Sequence, residues 1–242
     1  MLDVVDTGSH PAQWNMDWDA EHLAGLDPDG PSLLHFYEWE RSSISYGHFL
    51  DPKKFFNMGQ VEEEGIDLAR RPTGGGITFH LWDFAFSFFV GASSPFFSQD
   101  PYCNYQRVNR ALLSVVRGFF NEIATLHPVE QTPQEEKVKN FCMAHATKYD
   151  LIINEKKVAG AAQRKTQKGF LHQGTVFLIP PDLLLLQRIL LPEAHLLLQN
   201  QKSMHSLLTN GADVGLVKSK IKKLLFTELQ KNLQSLAISP IL

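Results

Sequence analysis

Between residues 105 and 124 apolar side chains return at Val108, Ala111, Leu112, Val115, Val116, Phe119, Phe120 and Ile123. Spacing of i, i+3, i+4, i+7 predicts an amphipathic helix. A helix with one apolar stripe must bury it against a second layer. The surrounding sequence says what that layer is. Residues 33–37, 43–46, 84–90 and 169–179 are short runs rich in aromatic and β-branched residues, and they read as strands. Residues 148–153 and 157–161 alternate polar and apolar side chains around Asn154-Glu155, which reads as a hairpin turn. Further helices are expected over 17–26, before the turn signal Asp27-Pro28-Asp29-Gly30-Pro31, and over 52–64. A last helix is expected over 217–236, with Val217, Ile221, Leu224, Leu225, Leu229 and Leu233 on one face. Its Lys218, Lys220, Lys222 and Lys223 read as the solvated side. Strands joined by hairpins rather than by regular βαβ units point to an α+β fold. The expected organisation is a single domain over 1–242, with a candidate small helical appendage from about 181 to 242.

Composition excludes several classes. With 43% apolar and 20% charged residues, the chain can fold around a core. A net charge of −3 offers no basic footprint for nucleic acid. Two cysteines, Cys103 and Cys142, are too few for a disulfide framework and read as free thiols. The N-terminus has no basic segment followed by an apolar run, and runs such as 84–92 are too short to span a bilayer. A soluble, cytoplasmic protein acting away from membranes is expected.

Three stretches carry candidate chemistry. The first is Arg70-Arg71-Pro72-Thr73-Gly74-Gly75-Gly76-Ile77-Thr78-Phe79-His80, flanked by strand patterns at 68–71 and 77–79. Glycines there let a ligand approach the backbone closely, and the arginines offer forked donors for a carboxylate or phosphate. The alternative is a plain hairpin turn. The stretch lacks the lysine of a P-loop and the following helix of a dinucleotide fingerprint. The second is Lys157-Val158-Ala159-Gly160-Ala161-Ala162-Gln163, where small residues leave room beside an ammonium group that can stabilise developing negative charge. A solvent-facing strand end is the alternative. The third is Cys142, a nucleophile if a nearby cation such as Lys157 or His145 lowers its pKa, and otherwise a small buried apolar residue. Cys103 reads as structural. His80 and His172 read as hydrogen-bonded histidines, with no metal-site spacing around them, and there is no Gly-x-Ser-x-Gly elbow.

Together these motifs resemble the lipoate-protein ligase and octanoyltransferase family. The first is similar to its Arg-Arg-x-Ser/Thr-Gly-Gly signature, the second to its Lys-Val/Ile-x-Gly-x-Ala-Gln segment. His172-Gln173-Gly174-Thr175 is similar to its later His-x-Gly-Thr/Ser turn. Residues 34–39 and 45–47 resemble an early strand pair, and Asn15, Met16 and Asp19 its opening helix. The resemblance spans about 14–190. It implies the biotin/lipoate ligase catalytic domain, a class II synthetase-like fold of mixed, largely antiparallel sheets packed with helices.

It also implies amide attachment of a lipoyl or octanoyl group to a lysine of a lipoyl-domain protein or the glycine-cleavage H protein. Arg70, Arg71, Thr73, Gly74, Gly75, Gly76, His80, Gly160, Ala161, His172 and Gly174 are then substrate-binding, Lys157 lies at the reacting centre, and the tail runs past Phe79 and Phe86. Two mechanisms follow. Ligases use ATP and Mg²⁺ to make an acyl-adenylate from free lipoate. Cysteine transferases need no cofactor and take the acyl group from acyl carrier protein or H protein onto a cysteine seven residues before a tyrosine. Cys142 stands seven before Tyr149. The chain also ends before the accessory domain that many ligases carry. Against this, Gly76 matches ligases, and Leu81 replaces an Asp that commonly follows the His in both groups. A biotin-protein ligase and a non-catalytic acyl-binding module are the competing readings.

Overall fold

The computed structural model describes residues 1–81, 83–120, 122–129, 146–179, 182–194, 206–208 and 212–238. Cys142 and His145 lie outside the described residues. The chain opens with strand β1 (Leu2–His10), helix α1 (Ala12–Ala24) and strand β2 (Ser32–Trp39), and β1 and β2 are parallel. The sequence reading has no strand at 2–10. β1 is an edge strand that buries only Leu2, so it carries no apolar alternation to read. α1 starts five residues before the expected boundary. Its buried face, Ala12, Asn15, Met16, Asp19 and Leu23, includes two polar residues that blur the apolar stripe.

Strand β3 (Ser43–Tyr46) follows, then helix α2 (Met58–Glu63), strand β4 (Asp67–Arg70) and strand β5 (Ile77–His80). The expected helix over 52–64 is broken: Pro52–Lys54 form a 3₁₀ turn, Phe56 bridges to Leu190, and the Asn57 side chain caps α2. β3 is parallel to β4 and antiparallel to β5, and it lies between them. The glycine stretch is therefore no hairpin turn. It carries the chain past the end of β3.

Then come β6 (Asp83–Gly91), α3 (Pro101–Phe120), β7 (Thr125–Leu126), β8 (Leu151–Ile153), β9 (Lys156–Lys165), β10 (Gly169–Phe177), α4 (Leu183–Ile189) and α5 (Val214–Ile238). Among the described residues they complete a seven-stranded sheet, ordered β1-β2-β6-β10-β9-β8-β7 and antiparallel beyond β2. The β8–β9 turn is Asn154-Glu155 as expected, with φ of 49° and 64°.

α3 buries Val108, Ala111, Leu112, Val115 and Val116 against this sheet and ends at Phe120, so Ile123 stays exposed. Ile221, Leu225, Leu229 and Leu233 of α5 enter the same core. A fully buried leucine is worth about 2 kcal/mol relative to an exposed one. Two of the four α5 lysines depart from the solvated reading. Lys218 pairs with Glu38 at 2.7 Å and Lys222 with Asp6 at 2.9 Å, tying the helix to β1 and β2. The three-stranded sheet has its own small core, where Ile44, Ile77 and Phe79 meet Phe177 and Ile189. No helix among the described residues is long and apolar enough to cross a membrane.

Candidate active site

A narrow, largely apolar cleft lies between the two sheets. One wall comes from β9 and β10, the other from β3, β5 and Arg71, with Met16, Tyr37, Trp39 and Ala85 closing the sides. Arg71, His80, Lys157, Gly160, Ala161 and Gly174 all line it.

Lys157 is 4% exposed, and its Nζ lies 2.8 Å from Asp150 Oδ2. The space for it comes from Gly160. A Cβ there would stand 2.4 Å from Lys157 Cε and 2.6 Å from Nζ. Asp150, fully buried, is held by the Thr147 backbone N–H at 2.7 Å and hydroxyl at 2.9 Å, and by the Tyr105 hydroxyl at 2.5 Å. That hydroxyl accepts from the Ala161 N–H at 2.8 Å. Burial, then the Asp150 charge, pushes the Tyr105 pKa well above its ordinary value, so the phenol keeps its proton and donates it. Tyr149, at φ 69°, aims Asp150 inward; its carbonyl accepts from Asn109 Nδ2 at 2.8 Å. A buried ammonium costs several kcal/mol unless paired, and Asp150 supplies the pair.

The opposite wall is a hydrogen-bonded scaffold. Arg71, 5% exposed, donates from Nη2 to the carbonyls of Gly76 at 2.7 Å and Gly74 at 3.2 Å, and from Nη1 to Ser45 Oγ at 2.8 Å. Its fork thus folds the glycine loop. Arg70 sits at the exposed end of β4 and does not line the cavity. Gly75 takes φ 85°, a conformation that favours glycine, and its carbonyl passes so close to Gly47 that a Cβ on Gly47 would stand 2.0 Å from it. Thr73 is buried behind the cavity and donates to Gln173 Oε1 at 2.7 Å. Gln173 Nε2 donates to Asp19 at 2.6 Å, and Asp19 pairs with His35 at 2.8 Å. Loop, α1, β2 and β10 are tied together by this buried chain. Gly74, Gly75, Gly76 and Thr73 shape the wall without entering its lining.

Strand alternation separates the other expectations. Gln173 and Thr175 face the cavity, whereas His172 points to the α3 side. There it stacks with Phe86 and pairs with the Gln163 amide at 2.8 Å. Burial lowers its pKa to about 3. It is not among the cavity residues. Gly174 makes room for Phe86, since a Cβ would stand 2.5 Å from that ring. Phe86 and Phe79 belong to the two cores rather than to the cavity, whose apolar surface comes from Met16, Tyr37, Ala85 and Phe177. The sequence reading gave no role to Asp150, Tyr105, Ser45, Asp83 or Gln173. For Asp150 the signal available was its place at the head of the β8–β9 hairpin. Among the described residues no group of three His, Cys, Asp or Glu side chains is arranged to hold a metal ion.

The fold and cavity define an α+β domain with an apolar slot, one buried ammonium in its wall and a loop clamped by arginine opposite. The chain belongs to the lipoyl protein ligase A/B catalytic domain family, which it matches over residues 11–225. It is 30% identical over 171 residues to the octanoyltransferase LipM of Lysinibacillus sphaericus, covering 67% of this chain and 58% of that protein. It is 30% identical over 183 residues to that of Brevibacillus brevis, covering 72% and 64%. The chain thus spans about three fifths of the length of these curated relatives. Two solved structures share the fold. A bipartite lipoate protein ligase from Thermoplasma acidophilum superposes with a TM-score of 0.70 at 21% identity, over 96% of this chain and 83% of the other. A lipoate-protein ligase A bound with ATP does so at 0.69 and 20%, over 96% and 85%.

Proposed function

We propose that this protein moves an octanoyl or lipoyl group onto a lysine of a lipoyl-domain protein or H protein, forming an amide. The observation that carries this reading is the buried Lys157 ammonium, set by Asp150 and Gly160 in the wall of an apolar slot. An acyl chain in the slot places its carbonyl oxygen against that ammonium. Negative charge develops on this oxygen as the carbonyl becomes tetrahedral, and the fixed positive charge stabilises it most at that point. Tyr105 and Thr147 hold Asp150 still, so little reorganisation accompanies the reaction.

Relatives named octanoyltransferase favour a thioester donor. In that route the Cys142 thiolate attacks the thioester of an acyl carrier protein, the carbon–sulfur bond breaks, and the carrier leaves as its thiol. The acceptor lysine amine then attacks the Cys142 thioester, and the thiol returns. The other route within the family consumes ATP with Mg²⁺ as co-substrates, activates free lipoate as an adenylate, and needs no Cys142.

The test mixes the protein with an apo lipoyl domain and either octanoyl-acyl carrier protein or lipoate, ATP and Mg²⁺. Amide product from the first mixture, abolished in Cys142→Ala, is expected. Product from the second alone establishes the ligase route. Absence of product from both refutes acyl transfer and leaves a binding module.

A further inference from the structure

The slot contains a second set of groups that Lys157 chemistry does not use. Ser45 Oγ lies 2.6 Å from His80 Nε2, and His80 Nδ1 lies 2.6 Å from Asp83 Oδ2. Ser45 and His80 line the cavity, while Asp83 is buried behind them. The proton positions follow from the partners. Asp83 Oδ2 also accepts from the Thr175 hydroxyl, and a carboxylate only accepts, so His80 carries its hydrogen on Nδ1. Nε2 then offers a lone pair to the Ser45 hydroxyl. Arg71 Nη1, which can only donate, points at the same serine oxygen from 2.8 Å. Trp39 stacks on the imidazole at 4.1 Å and 25°, fixing its plane.

Position 81, where the family resemblance expects Asp, is Leu, and the carboxylate reaches His80 from Asp83 instead. Serine hydrolases are recognised by this order of contacts, carboxylate to Nδ1 and Nε2 to hydroxyl, rather than by a sequence motif. The guanidinium adds a positive charge that steadies an alkoxide.

We propose that Ser45, His80 and Asp83 form a nucleophilic triad inside the slot, able to take a medium-chain acyl group from an ester or thioester and release it to water. Ser45 Oγ attacks the acyl carbonyl while its proton passes to His80 Nε2. The bond to the alcohol or thiol breaks, and His80 returns that proton to the leaving group. Water then attacks the acyl-serine, again giving a proton to His80. The carboxylic acid departs, and Ser45 recovers its hydrogen. The inference shares the acyl slot with the reading above but depends on neither Lys157 nor Cys142.

The test treats the folded wild-type chain with an octyl fluorophosphonate. An activated serine displaces fluoride from this reagent and keeps the phosphonate as a stable ester. Peptide mass spectrometry is expected to find the adduct on Ser45. Its rate should fall at least ~100-fold in His80→Gln, the share that general-base assistance commonly supplies. Ser45→Ala should abolish it. Wild-type protein that stays unlabelled at Ser45 overturns the triad, and so does labelling as fast in His80→Gln with native circular dichroism. The wild-type readout needs no variant to fold. Octanoyl transfer without labelling removes this inference alone; labelling without transfer removes the earlier reading alone.

Discussion

The two walls of the slot solve the problem of polar groups in an apolar place differently. On the β8–β9 side the chain buries a charge pair, Lys157 with Asp150, and makes space for it by omitting a side chain at Gly160. On the glycine-loop side the arginine is spent on the loop's own carbonyls and on Ser45. Each motif offers basic residues and glycines in sequence. The lysine presents its charge to the cavity, whereas the arginine builds the wall. The difference comes from what each charge finds within reach: a carboxylate, or the backbone oxygens of the glycine loop.

Removing the presented charge should have the largest effect. Lys157→Ala is expected to cut acyl transfer at least ~100-fold in a single-turnover assay, as loss of a transition-state charge donor does. Unchanged transfer would make the two walls equivalent scaffolds. Gly160→Ala comes next. It leaves the charge but forces the ammonium aside, and a shift approaching 1 Å should slow transfer by ~10- to 100-fold. Normal rates in that variant would mean that Lys157 has a second productive position.

A third prediction concerns the two faces of β10. His172, on the face away from the slot, has its pKa lowered to about 3 against an unfolded value of 6.5. The unfolded chain therefore binds this proton first, so stability is full above pH 6.5 and falls as the pH drops toward 3. Between pH 7.5 and 5 the wild type should lose ~2 kcal/mol more unfolding free energy than His172→Gln, read from urea midpoints. Parallel losses in the two proteins would place His172 in contact with water. The smallest effect is expected at Thr73→Val, which breaks the tether from loop to Gln173 and should cost ~1 kcal/mol in the same assay.

Much of the scaffold was legible. The α3 stripe as far as Phe120, the β8–β9 turn and the apolar face of α5, Leu224 excepted, appear where periodicity and turn chemistry place them. The glycine stretch and the Lys-x-x-Gly stretch were visible as motifs, and they meet at one cavity. What was not legible has common causes. β1 is an exposed edge strand without alternation, and α1 hides Asn15 and Asp19 in its buried face. His172 looks like a site residue beside Gln173, but adjacent residues of a strand face opposite ways, and sequence alone does not say which face is the slot.

By itself the sequence determined local periodicity, turn positions and part of the supply of chemistry: a lysine three residues before a glycine, and two arginines before three glycines. Only the tertiary structure decided which of these groups is partnered with which. Lys157 and Asp150 share a hairpin, but Tyr105 reaches Asp150 across 45 positions and Thr73 reaches Gln173 across 100. Helix and strand patterns arise from neighbours along the chain. The hydrogen bonds that buried polar groups require are made with whatever the fold brings alongside.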